Sequence, residues 1–92
     1  MKSAHLSTLT LLACSVFCIA EPLVIAHRGS SAAAPENTIA AFDLAWEQEA
    51  DGAEGDFLLT KDGHIVCFHD QDTQRITGKK LIVKNTTLAE LR

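Results

Sequence analysis

Polar residues capable of chemistry interrupt the apolar stretches of this sequence where strands and helices are predicted to begin or end. Two histidines can serve as general acid and general base, because the imidazole titrates near neutral pH. An arginine offers a planar fork for a phosphate, and neighbouring carboxylates suit a hard cation such as Ca²⁺ or Mg²⁺. The four clusters that carry these groups are His27-Arg28, Glu36-Asn37, Glu54-Gly55-Asp56 and His69-Asp70.

Glu54 and Asp56 are two residues apart in a predicted strand, so we expect their side chains on one face. Two adjacent carboxylates repel each other unless a cation or a shared proton relieves them. The spacing therefore favours a divalent-cation site with these two acids as ligands. The alternative is an exposed edge strand with two solvated acids, since so short a pattern is common.

The hairpin that follows places a histidine near this pair. Asp62-Gly63 is a strong signal for a two-residue turn, and such a turn pairs Lys61 with His64. Continuing that register puts His69 opposite Asp56, although a bulge would shift the pairing by one residue. His64 lies at the turn itself, where we expect it to be exposed to solvent.

His27 and Arg28 directly follow a continuous apolar run at 23–26. Such a run with β-branched residues is typical of a strand buried on both faces. In parallel α/β folds the carboxyl ends of the strands carry the functional site, so both side chains are candidates for it. Taken in isolation, the pair could also be a loop with a surface arginine.

A helix is predicted next, with Asn37 or Thr38 as its N-cap and an end near Glu49, before a terminating Gly52. Residues at three- and four-residue spacing form its expected apolar face. They are Ile39, Phe42, Ala45 and Trp46.

Strands are predicted at 53–60 and 64–68, followed by a polar loop at 70–77 and an extended piece at 81–83. Thr87 and Glu90 have the spacing of a capping box, which opens a last helix near Leu88. The order strand, helix, strand, strand, helix predicts an α/β domain. We do not expect such a domain to close within this length.

The composition restricts the class of partner. The 92 residues include 8 Lys and Arg against 12 Asp and Glu, which gives a net charge of −4. This acidic balance argues against a nucleic-acid partner, because nonspecific nucleic-acid binding needs a basic surface. A hydrophobic fraction of 47% indicates a globular chain rather than a disordered one.

The first twenty residues have the pattern of a secretory signal peptide: a positive Lys2, a mostly apolar stretch at 6–19, and the small residues Cys18 and Ala20 before the expected cleavage point. The apolar stretch is too short and interrupted for a stable membrane span, which needs about 20 residues. We therefore expect a cleaved signal at 1–20, a mature part at 21–92, and a secreted or periplasmic location. An uncleaved anchor and a lipoprotein site at Cys14 are the alternatives. Cleavage leaves Cys67, expected to be a small apolar strand residue.

Taken in order, these motifs resemble the glycerophosphodiester phosphodiesterase family. The resemblance runs from Val24 to about Arg92, and the ordered set is specific although each piece alone is weak. The segments that carry it are Ile25-Ala26-His27-Arg28-Gly29, Pro35-Glu36-Asn37-Thr38, Glu54-Gly55-Asp56, Thr60-Lys61-Asp62-Gly63 and Phe68-His69-Asp70.

The resemblance implies a TIM-barrel-like fold and the hydrolysis of small-molecule glycerophosphodiesters to glycerol 3-phosphate and an alcohol. It implies that His27 and His69 form the acid–base pair and that Arg28 holds the phosphate. It also implies that Glu54 and Asp56 bind a divalent cation, Ca²⁺ or Mg²⁺.

Two departures from the family pattern matter. Gly55 stands where the family usually has a bulky apolar residue, and the family's third carboxylate ligand and a later lysine fall beyond Arg92. A TIM barrel needs about 250 residues, so we expect an N-terminal part of such an enzyme that is inactive alone. The alternatives are a secreted inactive remnant that at most binds a cation or a phosphate, and a phospholipase D of the spider-toxin type. The oligomeric state is left open.

Overall fold

The computed structural model describes Cys18 and residues 20–92. The predicted signal peptide therefore lies almost entirely outside the described residues. In the described part, four short strands and four short helical segments follow one another in an α/β order, as the sequence predicts. No helix in this part is long and apolar enough to cross a membrane.

The first three elements form a strand–helix–strand unit with a parallel pair of strands. Strand β1 (Ile25–His27) and strand β2 (Gly52–Glu54) flank helix α1 (Ile39–Glu47). The parallel register pairs the last residues of the two strands, His27 with Glu54. Their carboxyl ends therefore lie side by side, which brings two of the predicted polar clusters to one edge.

Helix α1 begins where the sequence predicts and ends slightly earlier. The Thr38 hydroxyl accepts a hydrogen bond from the Ala41 amide at 3.2 Å, so Thr38 is the N-cap. The helix ends at Glu47, and Glu49, with φ 61°, supplies the left-handed residue expected of Gly52.

The buried side of α1 differs from the predicted apolar face. Ala41 and Ala45 are fully buried, whereas Ile39 and Trp46 are 79% and 54% exposed. Small side chains face inward because the loop after β1 packs closely here. A Cβ atom on Gly29 would lie 2.7 Å from the Cβ of Ala41.

The strand predicted at 53–60 is wrong as a single element. It divides at Gly55 and Asp56, because β2 pairs with β1 while strand β3 (Phe57–Leu59) pairs with strand β4 (Ile65–Cys67) in a separate antiparallel sheet. The break lies against the helix: a Cβ atom on Gly55 would lie 2.9 Å from the ring of Phe42. Glu54 and Asp56 are consequently not neighbours on one strand face.

The predicted register of the hairpin is also wrong, by one residue. Thr60 donates its amide to the His64 carbonyl at 2.8 Å, and Gly63 adopts φ 80°. The connection is thus a three-residue loop with a left-handed glycine, which replaces the predicted two-residue turn. In this register Phe68 lies opposite Asp56, and its amide donates to the Asp56 carbonyl at 2.9 Å.

The remaining chain wraps the hairpin with short helices. Helix α2 (Gln74–Thr77), within the predicted polar loop, ends at Gly78 in the left-handed conformation. A 3₁₀-helix follows (Val83–Asn85), so the predicted extended piece is limited to an isolated bridge at Ile82. Helix α3 (Leu88–Leu91) opens with the predicted capping box.

Strand β1 is more exposed than predicted. Leu23, Val24 and Ile25 are 75%, 60% and 53% exposed. The expectation of burial on both faces is wrong within residues 20–92, where α1 packs against β2 and leaves these side chains open to solvent.

Candidate active site

The candidate site lies at the carboxyl ends of β1 and β2. His27 ends β1, and its Nε2 lies 3.8 Å from Oε2 of Glu54, the last residue of β2. The His27 side chain is 70% exposed, so its ring is open to a ligand from solvent. The parallel pairing of the strands alone accounts for this contact.

Arg28 contacts both of the carboxylates that are predicted to bind a cation. Its backbone amide donates to Glu54 Oε2 at 3.1 Å, and its side-chain Nε lies 3.3 Å from Asp56 Oδ2. The second contact is an ion pair rather than a hydrogen bond, and Nε is buried. The backbone φ of Arg28, 58°, is unusual for a residue with a side chain. Such conformations persist where the surrounding structure holds them.

The outer end of the Arg28 guanidinium is partly engaged. Nη1 donates to the two oxygens of Glu36 at 3.3 and 3.4 Å. Within residues 20–92 its Nη2 has no hydrogen-bond partner, so this atom keeps its donors for an anionic ligand.

Asn37 is a member of the site whose role the sequence reasoning missed. Its Nδ2 donates to Asp56 Oδ2 at 3.0 Å, and its Oδ1 accepts from the Asp56 amide at 3.2 Å. Asn37 is buried and has φ 57°. Asparagine tolerates this left-handed conformation better than most residues. That tolerance, directly after Pro35-Glu36, was the available signal for a turn residue rather than an N-cap.

The two carboxylates fit the cation-binding role. The known contacts of Glu54 use Oε2 and those of Asp56 use Oδ2. Their other oxygens, Oε1 and Oδ1, have no hydrogen-bond partner among the described residues and are hard donors of the kind that Ca²⁺ and Mg²⁺ prefer. No group of three or more candidate metal-ligating side chains occurs in that part of the chain.

The net formal charge around Glu54 and Asp56 is negative, opposite in sign to that of a cation. Two arginines contact four carboxylates in one connected cluster. The formal charges leave an excess of two negative charges, which equals the charge of one divalent cation. The members are Arg28, Arg75, Glu36, Glu54, Asp56 and Asp70.

His69 does not lie where the predicted register placed it. Its Nδ1 lies 2.7 Å from Oδ1 of Asp70, and no hydrogen bond or ion pair joins it directly to Glu54 or Asp56 in the described structure. The connection is indirect, because Arg75 binds both Asp70 and Glu36, and Glu36 binds Arg28.

Arg75 is a residue of this cluster that sequence reasoning missed, since it lies in a predicted polar loop. Its hydrogen bonds hold the pKa of Asp70 well below its usual range, and the His69 ring adds to the effect. They also lower the pKa of Glu36. The two carboxylates in turn raise the pKa of Arg75 above its already high value. All three groups are charged at neutral pH.

Cys67 and His64 behave as expected. Burial raises the pKa of the Cys67 thiol, with the Asp56 charge as a second cause, which makes it a poor nucleophile. Its Sγ lies 3.4 Å from Asn37 Oδ1, so it packs beneath the site. The His64 side chain is 56% exposed at the hairpin loop.

A family model and the curated relatives of this chain indicate the same family. The family model described as the glycerophosphoryl diester phosphodiesterase family matches residues 27–92. A glycerophosphodiester phosphodiesterase of Caldanaerobacter subterraneus is 56% identical over 70 residues, which cover 76% of this chain and 29% of that protein.

Two solved structures agree in fold. The glycerophosphodiester phosphodiesterase of Thermotoga maritima has 39% identity and a TM-score of 0.73, and the match covers 79% of this chain and 33% of that one. A phosphodiesterase of Oleispira antarctica, solved with its product sn-glycerol-3-phosphate, has 48% identity and a TM-score of 0.71. The match covers 76% of this chain and 28% of that one.

These neighbours are TIM-barrel-like proteins, as the sequence predicts. Their names favour the glycerophosphodiester family over the phospholipase D alternative. The chain spans about a third or less of the length of these three proteins.

Proposed function

The chain belongs to the glycerophosphoryl diester phosphodiesterase family, and from that premise we propose that its natural full-length protein hydrolyses glycerophosphodiesters to glycerol 3-phosphate and an alcohol. The observation that carries the proposal is the position of Arg28 between Glu54 and Asp56, beside His27. This arrangement combines a phosphate-binding cation, two carboxylates and a titratable ring at one sheet edge.

His27 and His69 are the proposed acid–base pair. One ring takes a proton from the attacking hydroxyl group of water as the water oxygen bonds to phosphorus. The other gives a proton to the departing alcohol oxygen as the old P–O bond breaks. The exposure of the two side chains, 70% and 44%, supports this role, because a general acid or base must reach the substrate.

Arg28 is the proposed phosphate-binding residue. Its side chain is 18% exposed and anchored by Glu36 and Asp56, so little conformational freedom is lost when it binds an anion. The guanidinium holds a substrate phosphate by hydrogen bonds through Nη2. A rigid donor of this kind stabilises charge that develops on the phosphoryl oxygens.

Glu54 and Asp56 are the proposed cation ligands. Each contributes its unengaged oxygen to Ca²⁺ or Mg²⁺. When bound, the cation neutralises the phosphoryl oxygens and lowers the pKa of an attacking hydroxyl. Two carboxylates are fewer than the six to eight ligands typical of Ca²⁺. We therefore propose that residues 1–92 by themselves are inactive and bind the cation weakly.

The test is hydrolysis of glycerophosphocholine by the natural full-length protein, measured as released glycerol 3-phosphate. We expect activity that excess chelator abolishes and that added Ca²⁺ or Mg²⁺ restores. Glu54→Gln and Asp56→Asn should each raise the cation concentration needed for half-maximal rate. Asp43→Asn is the matched control, because Asp43 is an exposed acid on α1.

Two results would contradict parts of the proposal. Cation binding without release of glycerol 3-phosphate by the natural full-length protein would favour an inactive binding protein. Full activity in excess chelator would remove the cation-binding role and leave the histidines to be judged separately.

We also propose export through a cleaved signal peptide at 1–20, supported by the pattern of its residues. N-terminal sequencing of the mature protein from its native cells should begin at Glu21. A mature protein that retains Met1 or begins at Cys14 would exclude this proposal.

A further inference from the structure

The Arg75 guanidinium holds two carboxylates with two different edges. Nε and Nη2 donate to Asp70 at 2.8 and 3.0 Å, which forms a bidentate pair. Nη1 and Nη2 donate to Glu36 at 3.1 and 2.7 Å, which forms a second one. Glu36 and Arg75 are 39 residues apart in the chain. Arg75 therefore joins the loop before α1 to the loop after β4.

Each of these two carboxylates also contacts a residue of the proposed catalytic site. Asp70 contacts the Nδ1 atom of His69 at 2.7 Å, and Glu36 accepts from Nη1 of Arg28. The result is one continuous chain of contacts from the His69 ring to the Arg28 guanidinium, with Arg75 at its centre.

The chain of contacts determines which nitrogen of His69 carries the proton. Asp70 is ionised beside Arg75, so its oxygens can only accept hydrogen bonds. The Nδ1 atom must therefore be the donor, which leaves the lone pair of a neutral ring on Nε2. Nε2 is then the atom that exchanges a proton with the substrate, and Nδ1 stays tied to the protein.

We propose that Arg75 is a positioning residue of this site: it holds Asp70 and Glu36 together, and thereby orients His69 and Arg28 toward the same phosphate. Arg75 touches neither substrate nor reacting atoms. The inference rests on the proposed function in treating His69 as an acid–base group. A lysine cannot replace it, because one ammonium group has no two planar edges for two bidentate pairs.

The direct test is the tautomer of the His69 ring, read from its ¹⁵N shifts and two-bond couplings by NMR in the natural full-length protein, without substrate or cation. In wild-type protein the neutral His69 ring should be in the Nδ1–H form. Arg75→Gln and Arg75→Lys should both shift the population toward the Nε2–H form. Lys80→Gln is the control, because Lys80 pairs with Asp72 at 3.8 Å and not with Asp70.

Arg75→Lys separates geometry from charge. If a positive charge alone were sufficient, this variant would match wild type, and the proposal would be wrong. An unchanged tautomer in Arg75→Gln would overturn it as well. Should Arg75→Gln fail to fold, Arg75→Lys decides alone, since it preserves the charge in a side chain of similar length.

The activity readout is a split between kcat and KM. Arg75→Gln should lower kcat roughly tenfold to a hundredfold, the loss typical when an orienting partner is removed. Glu36→Gln, which weakens the anchor of Arg28, should mainly raise KM for glycerophosphocholine. Equal kcat in Arg75→Gln and wild type would contradict the positioning role. The tautomer is measured without substrate, so an inactive wild-type protein would end the proposed function without deciding this result.

Discussion

Replacement of Asn37 tests how the site holds its second carboxylate. The Asn37 side chain makes two hydrogen bonds to Asp56, one to the carboxylate and one from the backbone amide. It is 8% exposed, so water does not readily replace these bonds. Asn37→Gly removes the side chain and tolerates the backbone φ of 57°. Asn37→Ala removes the same bonds and adds a conformational penalty.

The magnitudes follow from the two kinds of bond. A hydrogen bond to a charged group contributes about 1.5–3 kcal/mol and a neutral one about 0.5–1.5 kcal/mol. We therefore expect Asn37→Gly to lower the free energy of unfolding by about 2–4 kcal/mol. Alanine in the left-handed region costs about 1–2 kcal/mol more, partly offset by the greater freedom of glycine in the unfolded chain. Asn37→Ala should thus be less stable than Asn37→Gly by about 1 kcal/mol.

Chemical denaturation of the natural full-length protein measures the stabilities, and calorimetric titration with Ca²⁺ measures the site. Both variants should bind Ca²⁺ about tenfold to a hundredfold more weakly, because Asp56 loses the group that orients it. Asn37→Gly with wild-type stability and wild-type affinity would refute the reasoning. Equal stabilities of the two variants would refute the part that concerns backbone conformation.

Three further predictions concern other parts of the site. His27→Ala and His69→Ala should each lower kcat roughly 10²–10⁴-fold, with His64→Ala nearly silent; near-normal rates in both would remove the acid–base assignment. The pKa of Asp70 is lower in the folded protein than in the unfolded chain, so ionised Asp70 stabilises the fold above about pH 4, the pKa of an aspartate in the unfolded chain. This stabilisation is lost as the pH falls further and Asp70 is protonated, so Asp70→Asn should flatten the acid side of a thermal-stability profile. Gly55→Val should lower stability by about 1–3 kcal/mol through overpacking against the helix, measured by denaturation; an unchanged midpoint would contradict the close contact seen there.

Local sequence patterns determined most of the elements. The capping box at Thr87 and Glu90 is a short-range hydrogen-bond motif that spacing alone identifies, and the N-cap of α1 was limited to Asn37 or Thr38, of which the structure selects Thr38. The strand–helix–strand order likewise predicts a parallel pair, and parallel pairing brings His27 beside Glu54.

Strand pairings that change with a shift of one residue could not be predicted from the sequence. Both a two-residue and a three-residue hairpin loop can contain Asp62-Gly63, and a change of one residue moves the partner of Asp56 from His69 to Phe68. The division between β2 and β3 was likewise not visible, because it depends on which strand each half finds as a partner.

The sequence by itself predicted most residue types of the candidate site: two histidines, an arginine and a pair of acids in a fixed order. Only the tertiary structure decided how they are held. Asn37 reaches Asp56 across 19 residues, and Arg75 reaches Glu36 across 39. The physical reason is that such bonds form between segments whose separation along the chain carries no periodic signal. Their geometry exists only after the helix and the hairpin have packed against each other.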